Sequence, residues 1–375
     1  MTAAPPDTLP PYAALGARYG SALDARGIGA TVLTHKWQPT DLLAPHSDLD
    51  VRVLLRDVPE DWQEWNHRLA TAHRGEVRRD ATHRRLLEHP PGFAFTLPEA
   101  ERQLISPPEL ATWSLVRGNA RDFQRWKSHA QMAPWSRVDE RFYRGILHAR
   151  LGGRYQLAAD STDNVSEDVP GYRRHCVAWH YLAPCWFAAA ALATRTRCPG
   201  KTAALTQWHP NGLERYAELF LRHAQTAGSA RSAATPTARR LLRTAHVALE
   251  AVMRRVPGKS SDTDTGEGEE RSRVAWTMTA GMLRVRIARW LYYLDPPPGV
   301  ATGYLITREA KELRTAAEAL RTLAADETSS SRRLAGRMAE LIPTGPTTAD
   351  TLRDALALWD RRRSVVQDFL TAHAE

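Results

Sequence analysis

The spacing of the apolar residues changes character once along this chain. Up to about residue 106, short β-branched or alternating runs interleave with helical stretches; from Pro107 onward the apolar positions recur at helical spacing. Ala30 to Thr34 (ATVLT) is a β-branched run, Val51 to Leu55 (VRVLL) alternates, and Gly92 to Leu97 (GFAFTL) follows the Pro90-Pro91 break, so each predicts a strand. Residues 12–27 carry an apolar stripe that stops at Gly27, a natural C-cap, and Glu60 to His73 predicts a second helix. The order helix, strand, connection, strand, helix, strand predicts the α+β class, with a small mixed-sheet N-terminal domain followed by a mostly α-helical C-terminal domain.

The helical part divides by its punctuation. Glu109 to Lys127, Arg137 to Leu151, Arg174 to Arg197, Lys201 to His223, Thr237 to Arg255 and Val274 to Leu294 predict helices, and Thr307 to Glu375 predicts three more, separated by Ser329 to Ser331 and Pro343 to Pro346. Thr226 to Pro236 reads as a linker, and Pro257 to Glu270 is almost purely polar and predicts a disordered loop. The expected division is 12–106, 107–225 and 237–375. The last third would complete the helical domain or form a dimer contact, so the chain is expected as a monomer or homodimer.

Composition narrows the setting. A chain of 375 residues has room for more than one core. No apolar run approaches the roughly 18 residues of a membrane span, the longest being Cys185 to Ala193. Residues 1–11 lack a basic segment followed by an apolar one, so no secretory signal is read there. Cys176, Cys185 and Cys198 are an odd set in a long chain, which fits a reducing cytoplasm better than a disulfide framework. The net charge of +9 attracts anions. It is carried almost wholly by arginine, scattered along the chain, so phosphate-bearing small molecules are expected as partners rather than nucleic acid or a membrane.

The local feature richest in chemistry is Ser47-Asp48-Leu49-Asp50-Val51-Arg52-Val53. In extended backbone, residues i and i+2 face the same side, so Asp48 and Asp50 point together. Two adjacent carboxylates repel unless a cation sits between them. Hard oxygen ligands suit Mg²⁺, which also gathers triphosphate oxygens.

With its preceding helix, strand and connection, this segment resembles the nucleotidyltransferase superfamily, which includes aminoglycoside and lincosamide nucleotidyltransferases. There a helix and strand lead to a Gly-Ser turn, and S-D-x-D followed by an apolar strand comes about a dozen residues later. Residues 141–208 also resemble the helical substrate domains attached to such folds, and the likeness covers roughly residues 20 to 225. It implies Mg²⁺ held by Asp48 and Asp50, a nucleoside triphosphate as substrate, and a small-molecule acceptor in a pocket walled by the helical region. The family's Gly-Ser turn would fall on Thr34-His35-Lys36, which with Ser47 and Lys201 are the expected nucleotide-binding residues. A third carboxylate would act as base; Glu76, Glu88, Glu99 and Glu101 flank the third strand, and Glu99 is the expected one. Tyr172, His175, Trp179, His180 and Trp186 could line the acceptor wall, although an aromatic stripe at helical spacing more often packs a core.

The resemblance implies transfer of a nucleoside monophosphate to a small acceptor. Two other readings remain open: a non-catalytic protein of the same fold that binds a ligand or partner, supported by the absence of glycine and serine at the turn, and an RNA- or tRNA-binding module using the basic surface. Nucleophilic hydrolases, P-loop enzymes and dinucleotide-binding folds lack their motifs here.

Overall fold

The computed structural model describes residues 11–42, 47–80, 83–151, 183–209, 268–300, 302–326 and 329–374, with a few positions between 214 and 256. The fold is α+β. Helix α1 (Pro11–Asp24) ends in a turn in which Gly27 adopts the left-handed backbone, at φ 62°, that a helix C-terminus favours. Strand β1 (Ala30–Lys36) follows, then a single 3₁₀ turn (Pro39–Asp41) and β2 (Val51–Leu55). Helix α2 (Trp62–Arg79) starts at Asp61, whose carboxylate accepts the backbone N–H groups of Gln63 and Glu64. Short α3 (His83–Leu86) leads to β3 (Phe93–Thr96), α4 (Leu97–Glu101), α5 (Pro107–Leu110) and β4 (Trp113–Arg117). Helices α6 (Ala120–Met132), α7 (Arg137–Leu151), α8 (Ala183–Thr194) and α9 (Lys201–Gln207) come next. The C-terminal set is α10 (Gly268–Leu283), α11 (Arg286–Leu294), α12 (Gly303–Asp326), α13 (Ser329–Ala339), α14 (Ala349–Arg361) and α15 (Arg363–Thr371).

The strands form one mixed sheet in the order β3-β2-β1-β4. β1 runs antiparallel to both β2 and β4, whereas β2 and β3 are parallel. The register places Thr34 opposite Arg52 and His35 opposite Val51. Alternation sends the two faces of β2 into different cores. Val51, Val53 and Leu55 join α1, α2 and the C-terminal helices, while Leu54 packs with Val32, Phe95, Trp113 and the α6 residues Phe123 and Trp126. A third cluster joins α7, α8 and α9 around Tyr143, Trp186 and Phe187.

Four helix predictions are corrected. The helix expected over Lys201 to His223 stops at Gln207, where Trp208 takes extended backbone. The helix expected over Glu109 to Lys127 is instead α5, β4 and α6. Trp113–Arg117 pairs with β1 as an edge strand, and Gly118 at φ 127° followed by the N-cap Asn119 breaks the chain before α6. Val274 to Leu294 divides into α10 and α11. At the break, Arg284 O and Ala288 N no longer bond each other, and the buried Asn66 side chain serves both, at 2.7 and 2.9 Å. Residues 303–374 hold four helices rather than three, because Arg362 turns α14 into α15 with neither proline nor glycine. Residues 174–182, 226–236 and 257–267, and all but a few of 237–255, lie outside the described residues. No helix among the described residues is long and apolar enough to cross a membrane.

The last third is no appendage. Trp276, Leu283, Ile287, Trp290, Leu313 and Trp359 share one cluster with Leu33, Val53 and Trp65 of the sheet layer. Three of the indole edges are hydrogen-bonded as well: Trp65 Nε1 donates to Ile28 O, Trp290 Nε1 to Glu309 and Trp359 Nε1 to Leu341 O. Truncating such a ring to alanine costs about 3–5 kcal/mol, so the C-terminal helices are integral to the N-terminal layer.

Candidate metal and phosphate site

Asp48 and Asp50 occupy the extended lead-in to β2. Its backbone is pinned from three sides. Tyr12 Oη donates to Ser47 O at 2.8 Å, Leu49 N to Leu86 O at 2.7 Å, and Lys36 N to Asp50 O at 3.0 Å. Leu49 is buried in the large core, which turns the flanking aspartates together toward the opposite side.

There they meet His89, which sequence reasoning missed. It lies between α3 and β3 and is buried. Its Nδ1 lies 2.8 Å from Pro90 O, and its Nε2 lies 3.5 Å from Asp50 Oδ1 and 3.9 Å from Asp48 Oδ2. One ligand atom from each of Asp48, Asp50 and His89 falls within 4.8 Å of the other two. The signal lay in Glu88-His89-Pro90-Pro91, an acid and an imidazole just before a forced turn into a strand.

Cations surround this group. Arg52, two residues beyond Asp50, donates through Nη1 to Asp50 O at 2.7 Å, and the same nitrogen lies 3.9 Å from Asp50 Oδ1. Its Nε and Nη2 reach Glu109 Oε1 at 3.1 and 2.8 Å. Lys36 Nζ donates to Glu109 Oε2 at 3.0 Å, and Trp113 Nε1 to Glu109 Oε1 at 3.2 Å. Burial opposes the Glu109 charge, but Lys36, Arg52 and these hydrogen bonds outweigh it and hold its pKa down at about 2. Burial likewise works against Asp50. The hydrogen bond to His89 and the charges of Arg52 and of Arg308 on α12 prevail, and the Asp50 carboxyl stays well below its ordinary range. Glu88 goes the other way. Burial, and then the neighbouring Asp48 charge, push it well above the ordinary carboxylate range, and the two carboxyl groups share a hydrogen bond.

The expected binding residues separate. Lys36 stands beside Asp50, and its Nζ lies 5.2 Å from the centre of the Trp37 ring and 5.1 Å from that of Phe142. Lys201, buried at the start of α9, has Nζ 5.0 Å from the same Trp37 ring. Trp37 thus gathers both expected lysines, and does so at φ 76°, a left-handed backbone that a bulky side chain rarely adopts. Thr34 is fully buried and its hydroxyl has no hydrogen-bond partner. His35 is buried, bonded to Lys36 O, with its pKa lowered chiefly by burial. Ser47 contributes its carbonyl to Tyr12.

Glu99 is not brought to the pair. Its two oxygens accept from Arg284 Nη1 and Nη2 at 2.7 and 2.9 Å, and Oε2 also accepts from Thr96 N at 2.8 Å. Both partners of this ion pair are fully buried, so the expectation of a base at Glu99 is corrected: the residue caps α4 and ties it to α10. Trp186 sits in the α7–α9 core with Nε1 donating to Trp208 O, while Tyr172, His175, Trp179 and His180 lie outside the described residues.

Scanned against family models, curated proteins and solved structures, the chain gives no match.

Proposed function

We propose that this protein is a divalent-metal-dependent nucleotidyltransferase, moving a nucleoside monophosphate from a nucleoside triphosphate to a small-molecule acceptor. The observation that carries the reading is the convergence of Asp48, Asp50 and His89 within 4.8 Å, beside the side chain of Arg52, which shares the Glu109 carboxylate with Lys36. Asp48 and Asp50 would hold the ion. When bound, a divalent ion there supplies charge neutralisation for triphosphate oxygens.

The rest of the work falls to the chain. Arg52 is fixed by Glu109 and the Asp50 carbonyl, so its guanidinium is preorganised beside the carboxylates and needs no reorganisation when an anion arrives. Lys36 and Lys201, drawn to opposite ends of the chain segment 36–201, meet at Trp37, whose ring offers a stacking surface between cations for a nucleotide. The hydrogen bond between Glu88 and Asp48 keeps the latter oriented.

Calorimetry with ATP and a divalent ion tests the reading. Saturable binding is expected for the full chain, with loss in Asp48→Asn and Asp50→Asn; undiminished binding in both variants would sink it. A second reading, a ligand-binding protein without catalysis, is favoured by one observation: Glu99 is locked to Arg284 and cannot serve as a base. It predicts nucleotide binding with no label transfer from α-labelled ATP to any acceptor.

A further inference from the structure

Two carboxylates beside a lone imidazole are not the donor set that Mg²⁺ prefers. Mg²⁺ takes oxygen ligands, whereas imidazole suits Mn²⁺, Fe²⁺ and Zn²⁺, which also accept carboxylates. We infer that Asp48, Asp50 and His89 form a two-oxygen, one-nitrogen site for a first-row transition ion of the Mn²⁺ to Zn²⁺ series, with His89 the ligand that discriminates against Mg²⁺. The inference rests on the metal-holding role proposed above but not on nucleotide chemistry.

Three observations carry it. The first is the orientation of the ring. A carbonyl oxygen only accepts, so Pro90 O at 2.8 Å engages the Nδ1–H and leaves Nε2 as the ring nitrogen that faces the two aspartates. One atom from each of the three side chains is thereby turned toward a common point.

The second is spacing. Ligand atoms about 2.1 Å from a common ion stand about 3.0–3.5 Å apart at angles near 90–110°. The 3.5 Å and 3.9 Å separations of Nε2 from Asp50 Oδ1 and Asp48 Oδ2 lie at or just beyond that range. With all three atoms within 4.8 Å of one another, a small side-chain closure would bring them around one ion.

The third is the outer layer. A metal-ligating histidine characteristically donates its second N–H to a carbonyl or carboxylate, and ligating carboxylates are themselves hydrogen-bonded. His89 does the former to Pro90 O, and Asp48 does the latter with Glu88. The His89 side chain is 97% buried (3% exposed), so its orientation is set by the fold before any ion binds.

The test uses the full chain and Mn²⁺ alone, without nucleotide. Calorimetry is expected to show Mn²⁺ binding at least about tenfold more tightly than Mg²⁺. Pulsed electron paramagnetic resonance of the Mn²⁺ form is expected to show nitrogen modulation that changes when histidine is ¹⁵N-labelled and disappears in His89→Asn. Should His89→Asn fold poorly by circular dichroism, the isotope experiment on the unaltered chain decides, with Asp50→Asn as the companion variant that must lose the signal.

Equal affinity for Mn²⁺ and Mg²⁺, or Mn²⁺ bound without nitrogen coupling, overturns the inference. The failures are separable. Nitrogen-coupled Mn²⁺ with no ATP binding defeats the nucleotidyltransferase reading and leaves this site standing. ATP binding supported equally by Mg²⁺ and no nitrogen coupling does the reverse.

Discussion

Glu99 and Arg284 face each other through two parallel charge-assisted hydrogen bonds in a seam sealed from water. The pair joins α4, which follows β3 directly, to the residue after α10, and Arg284 Nε continues the link to Leu370 O at 2.9 Å. One acid therefore fastens the sheet to two C-terminal helices. Glu99→Ala would strand a buried guanidinium, so a loss of about 3–5 kcal/mol is expected, read from urea unfolding. Metal affinity of the folded fraction should be unchanged. An unaltered urea midpoint together with lost metal binding would return Glu99 to the site.

Glu109 makes the stability pH-dependent. Its pKa falls from 4.5 to about 2 in the folded chain. A depressed folded pKa contributes stability that is fully present above the unfolded value and is lost as pH falls through the folded one. The window is therefore about pH 4.5 down to 2. The shift corresponds to roughly 3 kcal/mol, taken as an order of magnitude. Glu109→Gln should flatten the acid limb of the unfolding profile in that window. It should also loosen Lys36 and Arg52, which would lose their shared counter-charge. An acid limb identical to that of the unaltered chain would show that the pairing contributes nothing.

Much of the sheet was legible in the sequence because its first three strands are bounded by strong punctuation: Gly27 and Gly29 before β1, the aspartates before β2, Pro90-Pro91 before β3. β4 was not, because an edge strand of five residues, buried at one end and exposed only at Arg117, carries too little alternation to stand out between helical stretches. The pairing of Asp48 with Asp50 followed from period-two geometry. The third ligand did not, because His89 reaches the aspartates only when the parallel β2–β3 pairing brings the β3 lead-in beside the β2 lead-in. Periodicity identified apolar faces on the C-terminal helices, but a face does not name its partner, so their shared core with the sheet was out of reach. Trp37 marks the other limit. Its neighbours carry no glycine, yet the backbone there is left-handed all the same.

Asp48 and Asp50 repel in the metal-free chain, and that repulsion is a liability a mutation can relieve. Asp48→Asn is expected to leave the metal-free melting temperature unchanged or raise it slightly. The unaltered chain should gain on adding Mn²⁺, since an ion at one hundred times its dissociation constant contributes about 2.7 kcal/mol, a rise of several degrees. The variant should gain little. The measurement is a thermal melt of both proteins with and without Mn²⁺, and equal shifts would place the ion elsewhere.

Gly200 couples the helical segment to the strand connection. Asp41, in the 3₁₀ turn after β1, accepts the backbone N–H groups of Lys201 and Thr202 at 3.2 and 2.8 Å, supplying from a distant part of the chain the cap that Gly200 lacks. Gly200 has ordinary extended backbone, so the requirement is one of space: a Cβ there would collide with the Asp41 carboxylate. Gly200→Ala should displace that carboxylate, uncap α9 and cost about 1–2 kcal/mol. Asp41→Ala loses the same cap without the collision and should cost a similar amount. Because Lys201 is the first residue of α9, both variants should also shift its ammonium from the Trp37 ring and weaken ATP binding. Stability lost with ATP affinity intact would separate Lys201 from the nucleotide, and would leave Lys36 and Arg52 as the cations that receive it.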